Sequence, residues 1–360
     1  MPLPPRWVRR TVIAPAVVLG AIVLVTTLPL WLLGAAAATS LVPGRLRLPR
    51  ILWLVTFYLV WNSAALVAMF VLWLASGVGW KLHSPAFERA HYVLAGWFLR
   101  LLFIQARWVL RLRIELRGDQ PSQALDEPII VASRHGGPGD SFILIHLLIN
   151  QYRREPRIVL KDTLQWDPAI DVLLNRLPNQ FIAPTPFDPT AKRPVHSLAS
   201  EVGELAEGLD ENDAFVIFPE GGQFTSSRRR RRIARLRQQG RAEMAERAAA
   251  MRHVMAPRPG GIVAALHSAP GAGVVFVAHT GLERLATVGD MWRELPMDKQ
   301  ITVQGWHVPA TDIPSGDAER VEWLYTWWEH IDRWIAEHHE EHDEEHGEDA
   351  AADAGEAVPG

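Results

Sequence analysis

Two long apolar runs open the chain. The first covers Val12 to Leu33 and the second Ile51 to Trp80, and neither holds a charged residue. A bilayer core needs about 20 apolar residues in a helix, and both runs reach that length. Trp31, Trp53 and Trp80 stand near their ends, where aromatic belts form. The next stretch, Phe87 to Leu112, is also apolar but carries Arg89, Arg100, Arg107 and Arg111. At 100° per residue these four cluster on one side of a helix, a pattern suited to a lipid interface or to packing with the arginines in water. From Ile114 the pattern changes to short β-branched runs separated by helical ones. Pro128–Ser133, Arg157–Lys161, Gln180–Ala183, Ala214–Phe218, Gly273–Ala278 and Gln300–Trp306 read as strands. Asp167-Pro168 reads as a helix cap followed by proline at the first helical position. Arg228–Arg232 opens a helix to about Met255, and Glu322–Ile335 puts Trp323, Trp327 and Trp334 on one face, most simply a terminal helix packed on the core.

Strands alternating with helices predict an α/β fold, a mixed sheet flanked by helices, preceded by two N-terminal membrane helices. The expected organisation is a membrane anchor over 1–82, an amphipathic interfacial helix over 83–113, a catalytic domain over 114–336 and an acidic disordered tail over 337–360.

Charge sharpens this picture. The net charge is −3, yet residues 1–113 hold twelve Arg or Lys and a single acid, Glu88. A basic front beside apolar runs suits an anionic membrane surface, and the membrane spans with the overall acidity argue against a nucleic-acid partner. The first run exceeds the apolar core of a signal peptide and a second follows at once, so it is expected to be retained. Orientation stays open: Arg6, Arg9 and Arg10 favour a cytoplasmic N-terminus, whereas Arg45, Arg47 and Arg50 in the connecting loop argue the reverse. The absence of cysteine removes disulfides, thiolate metal sites and cysteine nucleophiles. His338, His339, His342 and His346 sit in the acidic tail and imply no fixed metal geometry.

The chemistry concentrates at Ser133-Arg134-His135-Gly136-Gly137-Pro138-Gly139-Asp140-Ser141-Phe142, between a buried-type strand and an apolar helix. Three glycines and a proline force a tight turn. That turn can fold Asp140 onto the imidazole of His135, fixing its tautomer and leaving the other nitrogen free as a base. Phe218-Pro219-Glu220-Gly221-Gly222-Gln223-Phe224 ends another strand with a carboxylate and a second glycine turn. In order and spacing the two stretches resemble the glycerolipid acyltransferase family, which includes acylglycerol-phosphate and lysocardiolipin acyltransferases. His135 and Asp140 match its H-x4-D box; Phe218, Pro219, Glu220 and Gly221 match its F-P-E-G box. Lys161 looks like the lysine block between them, Arg258-Pro259-Gly260-Gly261 like the basic block that follows, and Val274–Gly281 like the last hydrophobic block.

The resemblance implies a membrane-bound O-acyltransferase in the cell membrane with a cytoplasmic catalytic domain. It would move a fatty acyl group from acyl-CoA or acyl carrier protein to a lysophospholipid-type hydroxyl. His135 would be the general base oriented by Asp140, and Phe218, Pro219, Glu220, Gly221, Lys161 and Arg258 would bind substrate. No metal or resident cofactor is expected, because the thioester supplies the driving force. Two departures fall on the acceptor side: Pro184 stands where the family usually has a phosphate-gripping Arg, and Gly222-Gln223 replaces Thr-Arg. Lys192, Arg193 or Arg228–Arg232 could supply that charge. Two rivals remain. Gly139-Asp140-Ser141 imitates a lipase box with Ser141 as nucleophile, although the only late D-x-x-H, Asp343–His346, lies in the tail and no G-x-S-x-G elbow exists. A non-catalytic lipid-binding scaffold on the same fold is the other.

Overall fold

The computed structural model describes residues 3–39, 46–118, 127–137, 139–182, 195–281 and 300–355; within these, the side chains of 182, 195–199 and 339–355 are not described. The predicted Pro184, Lys192 and Arg193 therefore lie outside the described residues.

Three long helices come first: α1 (Arg6–Ala38), α2 (Arg47–Ala75) and α3 (Pro85–Leu110), each long and apolar enough to cross a membrane by length and composition. The sequence pattern assigns only two. The third qualifies because its arginines are spread too thinly to interrupt the apolar stretch. Arg111 does not belong to its stripe: it ends the helix in the left-handed region, with φ 54°. Beyond its first turn, the exposed positions of α3 are Arg89, Val93, Trp97, Arg100, Ile104, Arg107 and Trp108, each three or four residues from another and so sharing one face.

Among the described residues the sheet has seven strands in the order β1 (Arg113–Gly118), β7 (Gln300–Val308), β6 (Gly273–Thr280), β2 (Ile129–Ser133), β5 (Asp213–Ile217), β3 (Glu155–Lys161) and β4 (Gln180–Ile182). All neighbours are parallel except β6 and β7. The six predicted strands are present. The seventh, β1, alternates Arg113, Glu115 and Arg117 with Ile114 and Leu116, as a half-covered edge strand does.

Side chains alternate across the sheet and divide the core in two. Ile130, Ala132, Phe215, Ile217, Phe276 and Ala278 face one layer. That layer comprises α6 (Val195–Leu205), α7 (Ser226–Gln238), α8 (Ala242–Ala250), α9 (Pro259–Ser268) and α10 (Asp317–Gly355). Ile129, Val131, Ala214, Val216, Val275 and Val277 face the other, formed by α4 (Asp140–Asn150), α5 (Pro168–Leu174), α2 and α3. Fully burying a Val or Ile is worth about 1.5–3 kcal/mol, so these alternating rows hold the sheet to both layers. Trp323 and Trp327 pack against Phe276, and Trp334 against Trp306, as the bland reading of that helix expects. The helix continues past 337 to Gly355, into the tail that composition reads as disordered. The arginine run does not continue as one helix to Met255: α7 ends at Gln238, and Gly240 (φ 72°) turns the chain into α8.

Polar contacts fasten the front helices to the domain. Asp167 caps α5 through Ile170 N–H and accepts from Asn62 at 2.8 Å and from Tyr58, both on α2. Arg176 donates to the Met69 carbonyl at 2.8 Å. At the start of α1, a π-helical turn over Arg9–Ile13 presents both Arg9 and Arg10 to the fully buried Asp171, at 2.7 and 3.5 Å. Arg9 also donates to Gln165. The basic N-terminus that reads as an orientation signal is thus largely engaged with Asp171 of α5 and Gln165 beside it.

Candidate active site

The carboxyl ends of β2, β5 and β3 meet at one edge of the sheet, and the predicted boxes leave from there. β2 delivers Ser133, and Arg134 N–H extends the ladder to the Val277 carbonyl at 3.1 Å. The glycine turn then folds back, and Asp140 opens α4. His135 Nδ1 lies 2.8 Å from Asp140 Oδ2. Gly137 N–H donates to the same oxygen at 3.2 Å, so that amide is occupied and does not serve as an oxyanion donor. Ser141 donates through N–H (2.6 Å) and Oγ (3.2 Å) to Oδ1. The Asp140 carboxylate is therefore gripped on both oxygens. Burial favours its neutral form, but the bond from His135 and the nearby His279 ring prevail and hold it well below the usual carboxylate range. An ionised Asp140 accepts a hydrogen bond from Nδ1–H, which leaves the Nε2 lone pair free to act as a base. The His135 side chain is 17 % exposed, and Nε2 has no bonded partner among the described residues.

The second box is fastened to the first through the main chain. His135 N–H donates to Glu220 Oε1 at 3.1 Å, and Phe224 N–H donates to the His135 carbonyl at 2.8 Å. Glu220 Oε2 accepts from Met255 N–H at 3.1 Å. Glu220 is 1 % exposed with both oxygens on backbone donors. It faces inward and holds the His135 backbone N–H. Burial pushes its carboxyl up to about 7, against the pull of buried Arg134 and of the two N–H bonds.

The remaining expected residues are placed as follows. The Phe218 ring lies 4.9 Å from the imidazole at 37°. Pro219 accepts the Arg258 N–H at 2.7 Å and is buried. Gly221 adopts φ 70°, and a Cβ there would come within 2.9 Å of Arg258 Nε, so the guanidinium lies over a bare Cα. Lys161 ends β3 at the same sheet edge and is exposed. Ser141 bonds Asp140 and has no bond to His135 among the described residues. A serine without a base on its hydroxyl is not an activated nucleophile, which removes the geometric support for the lipase-like reading.

Three arginines crowd the Glu220–Gln223 turn, and a fourth, Arg235, lies close enough to repel two of them. Arg232 donates to the Glu220 carbonyl at 3.1 Å and Arg228 to the Gln223 carbonyl at 3.0 Å. Arg258 and Arg235 repel Arg232, whose guanidinium is pulled down to about 10 by burial first and by Arg258 next. Among the described residues, none of Arg228, Arg232, Arg235 and Arg258 has a carboxylate partner. Sequence reasoning passed over two neighbours of the pair. Arg134 is buried and donates to the His279 and His253 carbonyls, and His279 lies 3.6 Å from Asp140 Oδ2. His279 was hidden inside an apolar strand block, where only the sheet pairing reveals that it meets the box.

Residues 113–260 match the family model described as Acyltransferase, so this stretch is an acyltransferase-family domain. Among solved structures the chain is similar to the 1-acyl-sn-glycerophosphate (LPA) acyltransferase PlsC from Thermotoga maritima. The identity is 14 % with a TM-score of 0.43, covering 75 % of this chain and 95 % of that one. No curated protein matches the chain significantly.

Proposed function

We propose that this acyltransferase works at a membrane surface, moving a fatty acyl group from acyl-CoA or acyl carrier protein to the hydroxyl of a lysophospholipid-type acceptor. The observation that carries the proposal is the His135 Nδ1 to Asp140 Oδ2 bond of 2.8 Å, with Nε2 left unbonded. Nε2 takes the acceptor hydroxyl proton as the oxygen attacks the thioester carbonyl. The tetrahedral intermediate expels the thiolate, which recovers the proton from His135. An acyl ester and a free thiol result, and no acyl-enzyme forms. Asp140 stabilises the transient imidazolium. General-base catalysis of this kind contributes about 10²–10⁴-fold.

The arginines around the Glu220–Gln223 turn support an anionic acceptor. They stand beside the box that bonds His135 and lack carboxylate partners among the described residues, so a phosphate of the acceptor would relieve their mutual repulsion. The exposed Trp97, Arg100, Ile104, Arg107 and Trp108 of α3, with Arg100 5.9 Å from the Trp97 ring, support a lipid interface. In this reading the enzyme sits at the cell membrane with its catalytic domain on the cytoplasmic side, and no resident cofactor takes part.

The test is transfer of labelled acyl-CoA to a panel of lysolipids in detergent, with His135→Ala beside the wild type. Transfer should fall at least about 100-fold in the variant while its melting temperature stays unchanged. Full activity in His135→Ala would sink the proposal.

A further inference from the structure

His279 is an unusual residue for its place. It follows Val275 and Val277 on β6, and by strand alternation all three face the layer that contains α4. That layer is apolar: Val277, Ile301, Val303, Leu144 and Leu147 line the small cavity that His279 shares with Asp140 and Ser133. His279 is 5 % exposed, and neither ring nitrogen has a hydrogen-bond partner within 3.5 Å. An imidazole left so costs about as much as any unsatisfied buried polar group, so its retention calls for a compensating contact. One neighbour supplies it: Nε2 lies 3.6 Å from Asp140 Oδ2, the oxygen that His135 Nδ1 occupies at 2.8 Å.

The surroundings fix the ring there. A Cβ on Gly136, the residue after His135, would come within 2.9 Å of His279 Cε1 and of the Arg134 guanidinium. The ring is thus packed under the glycine turn. Arg134 Nη1 donates to the His279 carbonyl at 2.7 Å, tying the strand end to the box. The charged or titratable groups around His279 are Asp140 from α4, and Arg134 and His135 from the turn; its partner on β7 is Val303.

We propose that His279 is a positioning residue for the His135–Asp140 pair, its Nε2–H holding the Asp140 oxygen on which His135 depends. This rests on the reading of His135 as the general base. The carboxylate then has a donor from β6 as well as those from its own turn, so α4 and β6 jointly set the direction in which His135 Nδ1–H must point. A modest shortening from 3.6 Å separates the observed contact from a full hydrogen bond, and closure upon substrate binding would complete it.

The experiment compares His279→Leu, which removes the donor, with His279→Gln, whose amide can reach the same oxygen. Each is measured for kcat, for KM of both substrates, and for exchange of the His135 ring Nδ1–H by NMR on histidine-labelled protein. In His279→Leu, kcat should fall about tenfold with both KM values within about twofold, the rate factor that about 1.4 kcal/mol represents. The ring N–H should exchange faster, and His279→Gln should restore most of both. Wild-type kcat and exchange in His279→Leu overturn the proposal, as does an equal loss in both variants with unchanged exchange. If His279→Leu fails to fold, His279→Gln against His279→Asn, whose shorter amide falls back from Asp140, carries the same comparison. The exchange measurement does not require turnover. A protein with no transferase activity whose His135 N–H still loosens in His279→Leu refutes the proposed reaction and leaves the positioning role standing.

Discussion

Replacing Glu220 by Gln should flatten the pH dependence of stability between about pH 4.5 and 7. The carboxyl ionises near 4.5 in an unfolded chain and near 7 in its buried place, where loss of water outweighs Arg134 and two backbone N–H groups. Below 4.5 it is neutral in both states and contributes no difference. Between the two values the unfolded chain releases the proton and the folded one keeps it, so the fold loses stability as pH rises. Above 7 both are ionised and the loss is complete. Going from 4.5 to about 7, at about 1.4 kcal/mol per pH unit, amounts to about 3 kcal/mol. In a domain of this size that is about 6–12 °C in melting temperature. The assay is thermal unfolding in detergent from pH 4 to 8 for both proteins. Glutamine carries no charge, so the variant should start about 1–3 kcal/mol below the wild type near pH 4.5, for the N–H its amide leaves unpaired, and gain about 3 kcal/mol on it by pH 8. Other carboxylates titrate alike in both and cancel in the difference. Parallel curves from pH 4 to 8 would refute the reasoning.

Asp140→Asn should cut kcat about 10²–10⁴-fold with little change in KM, because the amide can donate to Nδ1 and select the wrong tautomer; kcat near wild type would mean that Asp140 is not the orienting group. Ser141→Ala should retain most of the transfer, since its hydroxyl bonds only Asp140 Oδ1 among the described residues; a dead variant on a stable fold would revive the hydrolase reading. Arg9→Ala should destabilise by about 3–5 kcal/mol by leaving Asp171 buried beside a more distant Arg10, read as a fall in melting temperature, while Arg6→Ala serves as the near-neutral control.

Much of the fold is legible where one property dominates. Ile129–Ser133 and Gly273–Thr280 are buried on both faces, so their unbroken apolar runs read as strands. Arg113–Gly118 escapes because it follows a long apolar helix by two residues and is charged at alternate positions. Its partner, β7, lies 187 residues away in sequence at the Arg113↔Gln300 register. The reversal of β7 against β6 is equally invisible, since it depends on hydrogen-bond partners and not on pattern. At the site, His135, Asp140 and the turn between them are local, and a spacing of five residues carries them. Glu220 is recognisable as a carboxylate at a strand end, but which way it points is decided by Met255 and His135 amides brought in from elsewhere. The placement of Arg258 is hidden for the same reason, because its backbone N–H and its guanidinium meet the Pro219–Gly221 turn only in the folded chain.

The attachment of α2 has a mechanical consequence. A leash can be lengthened at its linker without disturbing what it holds, but Tyr58, Asn62 and the Met69 carbonyl bolt the middle of this helix directly to Asp167 and Arg176. The joint is a bracket. Inserting one helical turn ahead of Tyr58 would carry these side chains about 5.4 Å along the axis relative to the apolar stretch before them. If that stretch rests in lipid, the height of the glycine turn above the bilayer is set by helix register, so reach toward a substrate can change only by re-cutting the bracket, never by paying out more chain.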